Sequence, residues 1–377
     1  MHGGKIMSSS RQVIAVAMSG GVDSTIAAYL LRKQGHEVVG IFMKNWDITE
    51  ETGICKTDED MQDFIKSCNH LGIPHKEVNF VQDYWHHVFS PFVNGYKQGI
   101  TPNPDITCNR MIKFNKLRQY CSENLGVDNL ATGHYAQLVT DSSGQPKLIQ
   151  AVDEAKDQTY FLANVKKISL KNIMFPIGNL LKSEVKNLAL KIGLRKIATK
   201  KESMGVCFIG KRNFKTFISE YIENQEYDVN TIDGQNFGKH SNLSLSTIGE
   251  RARIGGMSER WYVVSKDSNR KVITLAPGIN HPALYCRIFY VADANWISYC
   301  AEMQLSLRKE LECHIRIRHL APLVPCLIKL QYNGFLEVNS QQSLFAVTPG
   351  QFAAFYSRNE CLGGGQIVSS HTMVSKI

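Results

Sequence analysis

None of the ten cysteines is spaced Cys-x-x-Cys, which argues against a zinc ribbon or a thioredoxin motif. No secretory signal is read in the sequence, so these thiols are expected to be reduced, most of them as plain core residues. No apolar run approaches the ~20 residues that a membrane span needs, and no membrane partner is expected. Neither a repeat nor a low-complexity segment stands out. A strong charge bias is missing too: 43 basic against 34 acidic residues leave a formal charge of +9. That excess is compatible with a polyanionic partner without being diagnostic of one. What remains is a globular composition, 43% hydrophobic and 20% charged, in 377 residues. That length is too great for one small core, so two or three domains are expected.

The stretch Met18-Ser19-Gly20-Gly21-Val22-Asp23-Ser24 organises the rest. Val13 to Ala17, just before it, are small or branched apolar residues that suit a buried parallel strand. Thr25 to Gln34, just after it, carry Ile26, Ala27, Leu30 and Leu31 at helical spacing, and Gly35 can close that helix. Gly20 and Gly21 let the backbone bend sharply and approach a ligand. The N–H groups of such a loop and of the following helix turn attract an anion. Ser19 and Ser24 add hydroxyl donors. The loop has neither the Gly-x-x-x-x-Gly-Lys-Ser/Thr spacing of a Walker loop nor the Gly-x-Gly-x-x-Gly of a dinucleotide fold.

Further along, Glu37–Met43, His75–Phe80 and Asn129–Tyr135 read as buried strands. Helices are expected from Thr57 past Leu71, over Ile112–Leu125, Ser183–Ile192 and Phe214–Ile222. Cys68 and Cys121 fall on the apolar faces of two of these helices and read as core. Alternation of strand and helix predicts an α/β fold with a doubly wound parallel sheet, whose ligands bind beyond the carboxyl ends of the strands. The loops beginning at Met18, Met43 and Gly133 lie on that side. From Asp228 the pattern changes to short strands with turn residues between them, the signature of small all-β units. Boundaries are placed near 212 and near 290, giving domains 1–212, 213–290 and 291–377.

Two cysteines are set apart by their surroundings. Cys108 ends the run Thr101-Pro102-Asn103-Pro104-Asp105-Ile106-Thr107-Cys108, dense in turn formers, and is expected in a loop, where thiols are more often reactive. Asp105, three residues earlier, is within reach of the same pocket; an Asx-turn aspartate and a passive cysteine are the plainer alternative. Cys207 lies between Gly205 and Gly210. Arg195, Lys196, Lys200, Lys201, Lys211, Arg212 and Lys215 surround it against one acid, Glu202. Positive surroundings favour both a thiolate and a nucleic-acid backbone; a buried cysteine between Val206 and Phe208 is the alternative.

Ser-Gly-Gly-Val-Asp-Ser resembles the PP-loop of the ATP pyrophosphatases, which cleave ATP between the α and β phosphates. With two reactive cysteines added, nearly the whole chain resembles the tRNA-specific 2-thiouridylases, most of all their mitochondrial branch. The matching strings include Phe42-Met43-Lys44-Asn45-Trp46, Asn103-Pro104-Asp105-Ile106 with Cys108-Asn109, Ala131-Thr132-Gly133-His134-Tyr135 and Lys156-Asp157-Gln158. Further matches are Cys207-Phe208-Ile209-Gly210, Pro349-Gly350-Gln351 and Cys361-Leu362-Gly363-Gly364-Gly365. Ser246-Thr247-Ile248-Gly249-Glu250-Arg251 departs from the common Tyr-Thr-Ile-Gly-Gln-Arg, and Asn242 stands where a Gly usually follows the histidine matched by His240. Those departures bear on RNA contacts of the middle domain, not on the chemistry.

The resemblance implies an adenine nucleotide alpha hydrolase-like PP-loop domain, a small central tRNA-binding domain and a C-terminal β-barrel. It implies ATP held by Ala17, Met18, Ser19, Gly20, Gly21, Val22, Asp23 and Ser24 together with Met43 and Gly133, with Mg²⁺ bridging the phosphates. Cys207 would carry a persulfide from an upstream sulfur donor protein, and Cys108 would attack it, leaving a Cys108–Cys207 disulfide. Asp105 would act as base or orienter. Asn103, Pro104 and Asp105 would hold the target base, and Lys156, Asp157 and Gln158 would meet the anticodon arm of tRNA. Arg316 and Arg318, two apart on one strand, share a face that can meet phosphate. A monomer is expected, in the mitochondrial matrix, or in the cytoplasm if the chain is bacterial; residues 1–12 hold Lys5 and Arg11 and no acid but are short for an amphipathic targeting helix. Two other readings stay open at this point: a PP-loop ligase that adenylates a small molecule, and an RNA chaperone that keeps an inactive loop.

Overall fold

The computed structural model describes residues 11–47, 56–201, 208–209, 212–223, 225–241, 243–255 and 259–372. Cys207, with the rest of 202–207, Gly210 and Lys211, lies outside these residues.

β1 (Val13–Ala17) is covered on both faces, which is why its sequence does not alternate. Ile14 and Val16 share a core with Ala28, Leu31, Phe64 and Cys68. Ala15 and Ala17 face the opposite core, with Trp46, Phe89 and Ile112. The parallel sheet adds β2 (Glu37–Lys44), β3 (His75–Asn79) and β4 (Asn129–Thr132). After a hairpin of β5 (Gln137–Thr140) and β6 (Pro146–Ile149), β7 (Ile173–Met174) completes the order β3-β2-β1-β4-β7. Helices α1 (Val22–Lys33) and Lys56–Leu71 cover one face; helical runs 81–97 and 104–125 cover the other. The doubly wound expectation is met, and Cys68 and Cys121 are core.

α1 starts three residues before the predicted Thr25, because the extended backbone of Gly21 caps it and admits Val22, Asp23 and Ser24 to the first turn. A larger correction falls on Cys108. Pro104 does not break structure; it occupies the first position of helix Pro104–Cys108, where a missing N–H is no loss. Asn103 caps that helix, its side chain accepting from the Ile106 N–H at 3.2 Å. The helix then widens to π geometry over Asn109–Leu117 before closing as Arg118–Leu125. Cys108 is therefore a buried helical residue, not a loop residue.

The central sheet, β8 (Tyr227–Thr231), β9 (Asn236–His240), β10 (Arg251–Ala252), β11 (Trp261–Asp267) and β12 (Val272–Pro277), runs in the order β10-β11-β12-β8-β9. The last part holds β13 (Tyr285–Trp296), β14 (Glu310–Arg316), β15 (Val324–Leu330), β16 (Leu336–Phe345), β17 (Phe352–Ser357) and β18 (Glu360–Thr372). β13 pairs with both β16 and β18, which closes these six into a barrel. Outside it, β6 pairs with the start of β18, so the hairpin of the first domain extends the barrel wall. The sequence pattern reads Phe335–Asn339 and Ser343–Val347 as two short strands; they are one, β16. Sequence reading missed β13 and β18. β18 carries Gly363-Gly364-Gly365, a loop-like run, yet a Cβ there would stand 2.1 to 2.6 Å from backbone oxygens of Asn295, Ala353 and Ala292. Chains crossing that closely leave room only for glycine.

Helix Lys56–Leu71 also anchors the basic segment before residue 202. Asp63, 2% exposed, accepts from Lys196 at 2.5 Å and Lys200 at 2.6 Å, and Lys200 also donates to Asp60 at 2.8 Å. Burial pulls the Asp63 carboxyl up, but the two lysines outweigh it and leave it below the usual value. Its stabilisation is thus present above the unfolded-state pKa near ~4 and lost as pH falls through the lower folded value. Asp63→Ala is expected to destabilise the chain by about 2 kcal/mol at neutral pH, by leaving Lys200 half paired. The difference should vanish in strong acid; urea titrations of both proteins against pH check it.

Candidate functional site

The loop after β1 is held from below. Met18 donates its N–H to Ile41 O at 2.8 Å. Gly20 has φ +72, and a Cβ on it would stand 2.2 Å from the Asp60 carbonyl oxygen, so glycine is required twice over. Ser24 Oγ accepts from the Ser19 N–H and donates to Gly21 O, both at 3.2 Å, which closes the loop on the first turn of α1. No side chain caps that helix, so its first N–H groups face the opening, where an anion is favoured. Gly133, just beyond β4, lies against this turn: a Cβ there would be 2.5 Å from Ser24 N. Met43, at the end of β2, is half-buried on the same side of the sheet.

Asp23 is engaged by two other side chains. Its carboxylate takes two 2.7 Å bonds from Lys182 Nζ and one of 2.9 Å from Tyr135 OH, while Ser24 is held by backbone. Asp23 therefore neither orients Ser24 nor offers a free carboxylate to Mg²⁺, and among the described residues no group of three metal-ligating side chains occurs. A protein-held magnesium site does not fit these residues; triphosphate oxygens would have to be its main ligands. Lys182 was missed in the sequence, because its partner lies 159 residues away.

Across the sheet end, the helix 104–125 presents Asp105, Asn109 and Lys113 at successive intervals of four. Its start is seated by the barrel: Thr101 N–H donates to Pro349 O at 2.9 Å, and Gln351 Nε2 donates to Thr101 O at 2.7 Å. Burial pushes the Asp105 carboxyl up, against the pull of Lys113 and His319. Lys113 Nζ donates to Asn109 Oδ1 at 3.0 Å and to His134 Nε2 at 3.3 Å. His134, buried, is held neutral by desolvation and by that ammonium, and its Nδ1–H donates to Thr132 Oγ1 at 2.6 Å. His319, whose pKa burial lowers, bonds the Asp157 carbonyl at 2.9 Å and packs on Phe161. The structure thus brings Asn103, Pro104, Asp105 and Cys108 together on one helix, and Gly133 and the Met18–Ser24 loop at one sheet end. Lys113 and His319 had no sequence signal of their own; Gln351 stood in a matching string without a role assigned to it.

The expected RNA contacts are only partly at the surface. Asp157 is fully buried, and Arg316 Nη1 donates to it at 3.0 Å with only 10% of the arginine side chain exposed. As placed, this pair is a packed junction rather than a free RNA-facing surface. Arg318 donates to Ala346 O at 2.7 Å and lies over Phe345. Lys156 and Gln158 are half-buried, Gln158 accepting from the Tyr135 N–H. In the basic segment, Lys200 is committed to Asp60 and Asp63, and Arg212 to Phe208 O and the Phe217 ring.

Gly133→Ala is expected to push α1 away from β4, destabilise the fold by about 2 kcal/mol and remove nucleotide binding. Equilibrium titration with a fluorescent ATP analogue, alongside a melting curve, checks this; unchanged affinity would mean that the loop can shift freely.

The family model "tRNA methyl transferase HUP domain" matches residues 12–211, "tRNA methyl transferase PRC-barrel domain" matches 215–277 and "Aminomethyltransferase beta-barrel domain" matches 286–367. The chain is 42% identical over 385 residues to mitochondrial tRNA-specific 2-thiouridylase 1 of Homo sapiens, covering 96% of this chain and 91% of that protein. It is 41% identical to the Drosophila melanogaster protein of the same name, over 96% and 95% of the two chains. The tRNA-specific 2-thiouridylase MnmA of Bacillus subtilis (strain 168) is 43% identical over 356 residues, 94% of each. With a nucleotide loop and an Asp-x-x-Cys helix in one matching framework, the chain belongs to the tRNA-specific 2-thiouridylase family.

Proposed function

We propose that this chain is an ATP-dependent tRNA-uridine 2-sulfurtransferase acting on the wobble uridine of the anticodon. The observation that carries the reading is the helix 104–125, which holds Asp105 and Cys108 and reaches through Lys113 to His134, next to the nucleotide loop. A carbonyl oxygen is a poor leaving group. The uridine 2-oxygen attacks the α-phosphorus of ATP, the bond to the β-phosphate oxygen breaks, and pyrophosphate leaves; the N3 proton passes to Asp105. A buried carboxylate with a raised pKa is a stronger base than an ordinary one. Cys207 carries sulfur as a persulfide from an upstream donor protein. The Cys108 thiolate attacks the Cys207 sulfur and expels hydrosulfide, which adds at C2 and displaces AMP. The Cys108–Cys207 disulfide left behind is reduced by an external thiol. Mg²⁺ arrives with the triphosphate.

The division into a catalytic domain 1–212, a central tRNA-binding domain 213–290 and a barrel 291–377 is proposed, with the second boundary drawn back before β13, which enters the barrel at Tyr285. Asn103 and Pro104 border the base, Lys156 and Gln158 the anticodon arm. Asp157 and Arg316 serve that arm by holding barrel and loop together; Arg318, expected on the same strand face, lies two residues past the end of β14 because the chain bends away there. The chain acts as a monomer in the mitochondrial matrix, consistent with relatives named as mitochondrial enzymes, or in the cytoplasm of a bacterium. Among the described residues no helix is long and apolar enough to cross a membrane.

Cys108→Ser and Cys207→Ser are both expected to abolish thiolation while sparing tRNA-dependent pyrophosphate release. Cys207→Ser should carry no persulfide; Cys108→Ser should load sulfur at Cys207 and stall. Mass spectrometry after sulfur loading reads this out, and persulfide on Cys108 alone would reverse the roles.

The acid limb of thiolation should lie above the ~4 of an ordinary aspartate, because Asp105 works ionised and burial raises its pKa. Lys113 on its own helix and His319 from the barrel face it and limit the rise. Rates between pH 4 and 8 test this; a limb at the ordinary value would remove Asp105 as the base.

A further inference from the structure

We infer that Lys113 is a catalytic residue, whose ammonium binds the phosphate that passes from ATP to the uridine 2-oxygen. The inference rests on the adenylation reading above.

Position is the first argument. Lys113 shares a helix face with Asp105 and Asn109, at intervals of four, in the widened stretch Asn109–Leu117. Its ammonium leaves that helix and ends 3.3 Å from His134 Nε2. His134 follows Gly133, which lies against the first turn of α1, where the uncapped N–H groups face the opening. The lysine therefore spans from the acceptor side of the site to the nucleotide side. The α-phosphate is the one phosphate that must belong to both, since it is bonded to ATP before the step and to uridine after it.

Charge is the second argument. Among the described residues no carboxylate pairs with Lys113 within 4 Å, and Asp105 on the same helix face acts on it only at longer range. Its partners are two neutral acceptors, Asn109 Oδ1 at 3.0 Å and His134 Nε2. A carboxylate partner would cancel the charge. A neutral amide and a neutral imidazole only aim it, leaving it for an incoming anion. The imidazole is itself fixed: an ammonium can only donate, so Nε2 is the acceptor, and the proton of the neutral ring sits on Nδ1, facing Thr132 Oγ1 at 2.6 Å. Lys182, the other cation at this site, contrasts with it, being spent on Asp23.

In the step, the uridine oxygen forms its bond to phosphorus as the bond to pyrophosphate breaks. Negative charge on the non-bridging oxygens changes most in the transition state, where a fixed cation acts most strongly. The same contact would steady AMP as it leaves when hydrosulfide adds.

Single-turnover pyrophosphate release from ATP, with and without tRNA, tests this in the full chain. Lys113→Met is expected to slow tRNA-dependent release about 100-fold, with tRNA Kd and melting temperature near wild type. Lys113→Arg should recover part of the rate. Wild type should discriminate between the two α-phosphorothioate diastereomers of ATP, and Lys113→Met should lose much of that discrimination, which a merely structural role would not change. Release by Lys113→Met within about three-fold of wild type, or an unchanged diastereomer ratio, would overturn the role while leaving adenylation standing. Wild-type protein that releases no pyrophosphate with tRNA would instead overturn adenylation, and Lys113's role with it.

Discussion

Asp157 is a charge with no access to water, and the relation of the barrel to the catalytic domain depends on keeping it satisfied. Five donors do so: the N–H groups of Ala151 and Thr159, the Thr159 hydroxyl, the Gln150 amide and Arg316. Four come from its own loop and the fifth from β14. A buried carboxylate stripped of its cation would be strongly unfavourable, so the barrel has one acceptable seat. From that seat it places Gln351 against Thr101 and His319 near Asp105. The β5–β6 hairpin reinforces the arrangement by joining the barrel wall through Glu360 and Cys361. Domain docking and the geometry of the Asp105–Cys108 helix are thus one problem, with the Asp157–Arg316 pair at its buried centre.

The nucleotide side rests on contact rather than charge. Gly20 and Gly133 each stand where a methyl group would strike backbone, from Asp60 in one case and from the start of α1 in the other. Removing Cβ brings three elements within van der Waals distance around the loop. Lys182 then balances the Asp23 charge at the rim of this packing, and Tyr135 completes its hydrogen bonding.

The parallel sheet was legible because β1 and most of β2 are apolar runs and its helices have one apolar face. The loop at Met18–Ser24 was legible because glycine and serine chemistry is local. Cys108 was misplaced for a local reason as well: Pro104 was taken as a break, although proline at a helix start is favoured when an asparagine stands before it. β18 was hidden because its glycines answer to chains far away in sequence. Lys182, Lys113 and the Asp157–Arg316 pair were out of reach for the same reason. Their meaning is set by partners up to 159 residues distant, and no periodicity carries that information.

Asp60 uses its backbone oxygen to underlie Gly20 and its carboxylate to hold Lys200, which lies two residues before the segment that contains Cys207. One residue is therefore a footing for both the nucleotide loop and the approach to the sulfur-carrying cysteine. In evolutionary terms, positions 20, 60 and 200 form a linked set. A larger residue at 20 would displace the turn at 60 and loosen 200, and drift at 200 would leave an unpaired acid beneath the loop. Neither half of the chemistry can be retuned there without adjusting the other.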